Sequence, residues 1–126
     1  MPATIPFDST FQRYQQTRRA HWDAVMRRRE VWRGAGRWYH RRIQEVYRFL
    51  IPPGQRILEI GCGEGDLLAA LRPSFGLGVD FSQRAIQHAH QRHPELNFLQ
   101  ADAHALPFSA SPFDVILFSD TINDLW

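Results

Sequence analysis

The strongest structural signal in this chain is the stretch Leu58-Glu59-Ile60-Gly61-Cys62-Gly63-Glu64-Gly65-Asp66, residues 58–66. An apolar segment typical of a buried β-strand runs directly into three alternate glycines, and a helical pattern begins at once. Glycine permits positive φ and lets a ligand approach bare backbone. In open α/β folds, such a strand-to-helix turn lies at the carboxyl edge of the sheet, where ligands bind. The stretch therefore predicts an α/β fold with a ligand site at the glycines.

Strand and helix patterns alternate after this turn. We predict strands at 56–60, 77–79 and 97–100 and a fourth within 113–119, with helices at 66–71 and 82–93. Val115 to Phe118 is apolar on both faces, which is typical of parallel strands covered by helices on both sides. Repeated β-α-β units with right-handed crossovers give a doubly wound sheet.

Two helical patterns precede the first strand. Apolar stripes run from Phe11 to Trp32 and from Tyr39 to Leu50, and Pro52-Pro53-Gly54 ends the second. We therefore predict an N-terminal helical segment, 1–54, and a partial α/β domain, 55–126. Residues 1–56 carry twelve Arg and four acids, a net +8, whereas residues 57–126 carry three Arg and nine acids, a net −6. The basic segment is suited to an anionic partner.

Composition excludes several classes of protein. The single cysteine, Cys62, rules out an internal disulfide framework and a cysteine-based zinc site. The histidines show no metal-ligand spacing, so we expect no metal and interpret His21, His88, His90, His93 and His104 as surface residues. No apolar run is long enough for a transmembrane helix, and the N-terminus lacks the features of a signal peptide. We therefore expect no membrane insertion and a cytoplasmic location.

The glycine turn favours a ligand without phosphates. A dinucleotide fingerprint is G-x-G-x-x-G, but here the third glycine, Gly65, comes one position early and Asp66 stands where glycine is required. Glu64 and Asp66 would both repel a phosphate, and Asp66 is expected to cap the following helix. Glu59, just before the turn, can meet a cationic group above the loop.

Two further acids follow predicted strands at the same edge. Asp80 closes the second strand and can accept hydrogen bonds from ribose hydroxyls, and Phe81 can lie against an adenine face. Asp102 follows the third strand, where its carboxylate can accept from an exocyclic adenine amine while the Ala103 N–H donates to a ring nitrogen. Each acid also has a simpler interpretation, as a solvated loop or turn residue.

These motifs together resemble the class I S-adenosylmethionine-dependent methyltransferase superfamily, of the small-molecule type. The resemblance rests on four motifs in order and at the usual spacing, which are LEIGCGEG (58–65), GVDFS (78–82), QADAHALPF (100–108) and FDVILFSD (113–120). It implies a Rossmann-like fold, here truncated after strand four and preceded by the helical segment. It also implies S-adenosylmethionine as the cofactor.

The resemblance assigns roles residue by residue. Gly61, Gly63 and Gly65 carry the methionine portion of the cofactor, with Glu59 supporting the loop and Cys62 counted among its binding residues. Asp80 holds the ribose, Asp102 and Ala103 hold the adenine, and Phe81 and Ser119 complete the predicted site, Ser119 beside the sulfonium or the acceptor.

The acceptor and the catalytic residues are not specified by the sequence. Methyl transfer needs a general base only when the acceptor must lose a proton, and the candidate bases are His40 and Asp120. Tyr39 and His40 have two interpretations. Either both lie over the cofactor or acceptor, or Tyr39 lies in the core and His40 lies on the surface. We expect a small-molecule acceptor. The alternatives are a non-catalytic nucleotide-binding or interaction fragment and a nucleic-acid methyltransferase, and Phe118-Ser119-Asp120-Thr121 lacks the motif that favours bases as acceptors.

The family sheet has seven strands, so a chain ending after the fourth is expected to lack the wall beyond that strand and to be inactive by itself. Val115 to Phe118 would then form an open edge that can self-associate.

Overall fold

The computed structural model describes residues 9–31, 36–109 and 111–119. Its elements alternate as the sequence predicts after two N-terminal helices. The helices are α1 (Ser9–Val31), α2 (Arg37–Leu50), α3 (Asp66–Ala70) and α4 (Gln83–Arg92). The strands are β1 (Arg56–Ile60), β2 (Phe75–Asp80), β3 (Asn97–Gln100) and β4 (Val115–Phe118).

The four strands form one parallel sheet in the order β3-β2-β1-β4. The first strand therefore lies inside the sheet, β2 and β3 follow on one side of it, and β4 lies on the other side. In the register, Ile60 pairs with Val79 of β2 and with Phe118 of β4. The reversal of strand order between β1 and β4 opens a crevice at the carboxyl ends of the strands, where such folds bind ligands.

Alternate residues of β1 enter two separate cores, one on each face of the sheet. On one face Ile57 packs with the buried side chains of α3 and α4, including Leu68 and Ile86. On the other face Leu58 and Ile60 pack with Val79 and with apolar residues of the segment between β3 and β4. Burial on both faces explains why β1 reads as a nearly continuous apolar run.

The N-terminal helices contribute less to these cores. Phe11 and Met26 of α1 are buried, and Ile43 and Tyr47 of α2 pack against the edge of the first core. No residue of α2 is itself buried, and Trp38 and Phe49 are 77% and 89% exposed. Helix α2 is thus amphipathic, but only part of its apolar face packs against the rest of the described structure.

Among the described residues, the fourth strand lies at the edge of the sheet, as the sequence predicts. Only Leu117 of β4 is buried, whereas Ile116 and Phe118 are substantially exposed, because β4 is an edge of the sheet formed by the described residues. The second strand is longer than predicted and begins at Phe75. Within the described ranges, no helix combines the length and apolarity that crossing a membrane requires.

Candidate functional site

The carboxyl ends of the strands and the two N-terminal helices enclose one large cleft of about 1310 Å³. The sheet supplies one wall, and α1 and α2 supply the other. Nine of the ten residues predicted to bind a cofactor line this cleft, namely Glu59, Gly61, Cys62, Gly63, Asp80, Phe81, Asp102, Ala103 and Ser119. Gly65, the tenth, is absent from the lining.

The glycines of the turn have different tasks. All three have positive φ, and Gly61 N–H donates to the Val79 carbonyl at 2.7 Å, which ties the turn to β2. A Cβ on Gly63 would meet nothing within 4 Å, so this position presents bare backbone in open space. A Cβ on Gly65 would lie 2.6 Å from the Phe98 ring. Gly65 therefore permits close packing at the start of α3, and the prediction of a direct ligand contact there is not supported by its position.

Cys62 is a buried free thiol in the middle of the turn. Burial raises the pKa of this thiol well above its ordinary value, and the nearby charges of Asp80 and Glu59 act in the same direction. A neutral, buried thiol packs as a small apolar side chain. Its place in the lining makes Cys62 part of the floor of the cleft.

Glu59 is the most deeply placed acid of the site, with a residue exposure of 1%. Burial raises the pKa of its carboxyl to about 8, although the hydrogen bond that the Ser119 hydroxyl donates to Oε1, at 3.1 Å, opposes this rise. Its second oxygen, Oε2, is buried without a hydrogen-bond partner among the described residues. Since an unsatisfied buried oxygen is costly, Glu59 is suited to receive a donor from a ligand.

Asp80 links the glycine turn to the end of β2. Its carboxylate accepts hydrogen bonds from the backbone N–H of Gly63, at 2.9 Å, and of Ser82, at 2.8 Å. Burial raises the pKa of Asp80, and these backbone hydrogen bonds oppose the rise. The acid predicted to hold a ribose is thus also a structural brace of the turn.

Asp102 is surrounded by donors from two different parts of the chain. The His104 backbone N–H and ring Nδ1 approach Oδ1 at 2.9 Å and 2.6 Å, and the Gln15 carboxamide of α1 donates to Oδ2. Burial tends to raise the pKa of this carboxyl, but the hydrogen bonds outweigh it and lower the pKa. Asp102 is therefore a carboxylate at neutral pH and acts only as an acceptor.

The acids after the turn, Glu64 and Asp66, line the cleft and also pair with Arg92 of α4. Arg92 donates to Asp66 at 3.0 Å and lies 3.4 Å from Glu64, and His93 Nε2 approaches Asp66 at 2.7 Å. Asp66 makes no capping hydrogen bond, because Gly65 occupies the N-cap position. The prediction that Asp66 caps α3 is wrong, since its carboxylate pairs with Arg92 of α4 and with His93.

The interpretation of every histidine outside α2 as a surface residue is also wrong for three of them. His88, His93 and His104 are partly buried, and each approaches a carboxylate within 3.3 Å. His21 and His90 are exposed, as predicted. The partners of His88 and His93 lie 24 and 27 residues away, so no local pattern could have identified these pairs.

The helical wall supplies lining residues that the sequence did not single out. Arg18 and Trp22 of α1 and Arg37 and Arg41 of α2 line the cleft, as does His40, one of the two candidate bases. Tyr39 is 46% exposed and is not in the core. Asp120, the other candidate base, lies outside the described residues.

Comparison with known proteins identifies the matching family. The family described as methyltransferase domain matches residues 57–126. A probable S-adenosylmethionine-dependent methyltransferase of Mycobacterium tuberculosis is 34% identical over 94 residues, which is 71% of this chain and 34% of the relative. The phthiotriol/phenolphthiotriol dimycocerosates methyltransferase of Mycobacterium leprae is 38% identical over 85 residues, 63% of this chain and 30% of the relative. The chain thus spans about a third of the length of these curated relatives.

Solved structures agree on the architecture. A TehB-like SAM-dependent methyltransferase from Corynebacterium glutamicum superposes with a TM-score of 0.59 at 22% identity, covering 86% of this chain and 58% of the other. A SAM-dependent methyltransferase from Geobacter sulfurreducens, in complex with S-adenosyl-L-homocysteine, gives a TM-score of 0.52 at 24% identity, covering 62% and 34%. At these identities the likeness establishes the fold.

Proposed function

This chain belongs to the class I S-adenosylmethionine-dependent methyltransferases, and we propose that it forms the cofactor-binding half of an enzyme that methylates a small molecule. The observation that carries the proposal is the meeting of three carboxyl groups with the open glycine turn. Glu59, Asp80 and Asp102 are separated by 43 residues of sequence at most, yet all line one cleft with Gly61 and Gly63.

S-adenosylmethionine is the cofactor of this family, and the residues of the cleft fit it. Gly63 presents backbone to open space, and Glu59 Oε2, which has no hydrogen-bond partner among the described residues, provides a hydrogen-bonding group beneath the turn. We assign the methionine portion to this turn, the ribose to Asp80 and the adenine to Asp102, Ala103 and Phe81. Glu64 and Asp66 beside the turn disfavour phosphates, which agrees with a cofactor that has none.

The cofactor supplies an activated methyl group on a sulfonium, and the protein must align the acceptor with it and exclude water. The wall formed by α1 and α2 is suited to an acceptor with an apolar part, because Trp22, Val25, Met26 and Ile43 line the cleft there. His40 lies on the same wall and is our candidate to accept a proton from the acceptor. The Mycobacterium leprae relative is named for phthiotriol and phenolphthiotriol dimycocerosates, and we infer that the acceptor of this chain likewise has an apolar part.

Calorimetry with S-adenosylhomocysteine tests the ribose assignment. Losing a hydrogen-bonded carboxylate costs roughly 1.5–3 kcal/mol, so Asp80→Ala is expected to weaken binding about ten- to a hundredfold. Because Asp80 also braces Gly63 and Ser82, the matched control is Asp114→Ala, which removes a comparable backbone hydrogen bond to Arg56 at the opposite edge of the sheet. Unchanged affinity in a folded Asp80→Ala protein would refute the assignment.

Thermal shift separates the proposed cofactor from a dinucleotide. We expect S-adenosylhomocysteine to raise the melting temperature and NAD to leave it unchanged, since Glu64 and Asp66 flank the place where a pyrophosphate would lie. Stabilisation by NAD alone would overturn the proposal. A cytoplasmic location remains part of the proposal.

A further inference from the structure

Helix α1 holds the adenine end of the proposed cofactor site through polar and cation–π contacts. Gln15 donates to Asp102 through its carboxamide, and Asp23 accepts a hydrogen bond from the buried Ser82 hydroxyl. The Arg19 guanidinium lies 4.8 Å from the centre of the Phe81 ring. The three partners on the sheet side are the proposed amine acceptor, the N-cap of α4 and the proposed adenine face.

These contacts are made by a docked helix. Phe11, one turn before Gln15, is 2% exposed, and its ring stands edge-on to His104 at 5.3 Å between centroids. At the other end of α1, Met26 is also buried. The Gln15 side chain is therefore delivered to Asp102 by a helix with its own apolar anchors on both sides.

The hydrogen-bonding capacity of Asp102 is largely used. A carboxylate has about four acceptor sites, two on each oxygen. His104 takes both sites of Oδ1 with its backbone N–H and its ring, and Gln15 takes one site of Oδ2. A cofactor amine must then either take the last site beside Gln15 or replace Gln15.

The two competing donors have the same chemistry. The carboxamide of Gln15 and the exocyclic amine of adenine are both planar NH₂ groups that donate without accepting at nitrogen. We propose that Gln15 is a specificity-determining residue which occupies the amine acceptor Asp102 in the cofactor-free protein and yields it to the adenine amine. This inference rests on the proposed cofactor site.

The exchange of Gln15 for the adenine amine at Asp102 determines how strongly the site prefers a purine that carries this amine. When Gln15 is present, a purine without the amine can bind while Asp102 keeps its carboxamide partner. When Gln15 is removed, that purine leaves Oδ2 of the partly buried Asp102 without its donor, whereas adenine gains an acceptor that it no longer has to compete for. Loss of Gln15 should therefore increase the preference for adenine.

The test compares S-adenosylhomocysteine with S-inosylhomocysteine, which carries a carbonyl in place of the amine. We expect the ratio of their dissociation constants, measured by calorimetry, to rise about fivefold in Gln15→Ala. Gln15→Met, which keeps the length of the side chain but has no N–H donor, is expected to give the same rise. The matched control is Gln16→Ala, because Gln16 is an exposed neighbour on α1.

The outcomes separate this inference from the proposed function. A ratio that is unchanged or lower in both Gln15 variants overturns the role of Gln15 while leaving the cofactor site intact. A rise that Gln16→Ala reproduces overturns it as well. Failure of the wild-type chain to bind S-adenosylhomocysteine at all overturns the proposed function instead.

Discussion

The two walls of the cleft are built in opposite ways. The sheet wall rests on fully buried side chains, such as Ile57, Leu58 and Leu68, none of which is measurably exposed. The helical wall rests on a few anchors of α1 and the packed margin of α2, which has no buried residue. The glycine turn and its strand can be predicted from their own residues, because these residues determine the local backbone geometry. The position of a helix that is held by a few distant contacts cannot be predicted in this way.

The largest expected effect comes from the sheet wall at Gly65. Gly65→Ala combines a strained positive φ with a contact of 2.6 Å to Phe98, and should lower the free energy of unfolding by roughly 4 kcal/mol. Gly54→Ala is the control, because Gly54 has a similar φ of 85° but open space around its Cβ, and should cost roughly 1–2 kcal/mol. Urea denaturation measures both, and equal losses would show that the packing against Phe98 is unimportant.

A matched pair of truncations compares the walls directly. Leu68→Ala creates a cavity in the core beneath α3 and should cost roughly 2–5 kcal/mol. Phe49→Ala removes a larger side chain from α2 but should change stability by less than about 0.5 kcal/mol, since Phe49 is 89% exposed. A comparable loss in Phe49→Ala would mean that α2 has a buried partner, and the contrast between the walls would fail.

Stability should also depend on pH through the sheet wall. The pKa of Glu59 is raised from 4.5 to about 8, so the folded chain holds an extra proton between these values. The contribution of this proton to the free energy of unfolding is full below pH 4.5 and is lost as the pH rises through 8. The free energy of unfolding falls over this range by at most about 1.4 kcal/mol per pH unit.

Glu59→Gln keeps the neutral form at all pH values and should flatten this part of the stability curve, measured by denaturation between pH 6 and pH 9. Glu45→Gln on α2 is the control, because Glu45 is exposed and pairs only with the neighbouring Arg42 among the described residues. If Glu59→Gln and the wild-type chain lose stability in parallel, the buried proton is not on Glu59.

The smallest effect on stability is expected at the exposed apolar positions, where self-association is the informative measurement. We predict that the chain self-associates through β4, an edge of the described sheet, so Ile116→Lys, which places a charge on this strand, should shift the chain towards monomer in size-exclusion chromatography. Val46→Lys makes the same change at a position of similar exposure on α2 and should leave association unchanged. If Val46→Lys reduces association and Ile116→Lys does not, the chain associates through α2 and not through β4.

The class of fold and most of the sheet wall could be predicted because their signals are local. The limits of β1 and β3 and the approximate place of the fourth strand followed from short apolar runs and from the glycines and prolines around them. The exposure of Ile116 and Phe118 agrees with the expectation that the fourth strand forms an open edge, whereas the burial of Leu117 depends on neighbours that the strand itself does not encode.

The sequence also predicted which acids lie in the candidate site, but not their hydrogen-bond partners. Glu59, Asp80 and Asp102 lie at or just beyond the carboxyl ends of β1, β2 and β3, and parallel strands bring these ends to one edge of the sheet. Their partners were not predictable, since Gln15 is 87 residues from Asp102 and Ser119 is 60 residues from Glu59. The roles proposed for these residues towards a cofactor remain predictions.

The sequence by itself determined the parallel sheet, the glycine turn and the acids at its edge, because each follows from residue types over a few positions. Tertiary structure alone decided that Asp66 pairs with α4, that Gly65 serves packing against Phe98, and that α1 brings Gln15 to Asp102. The physical reason is that backbone conformation is set by near neighbours, whereas the partner of a charged or polar side chain is set by whichever element packs against it.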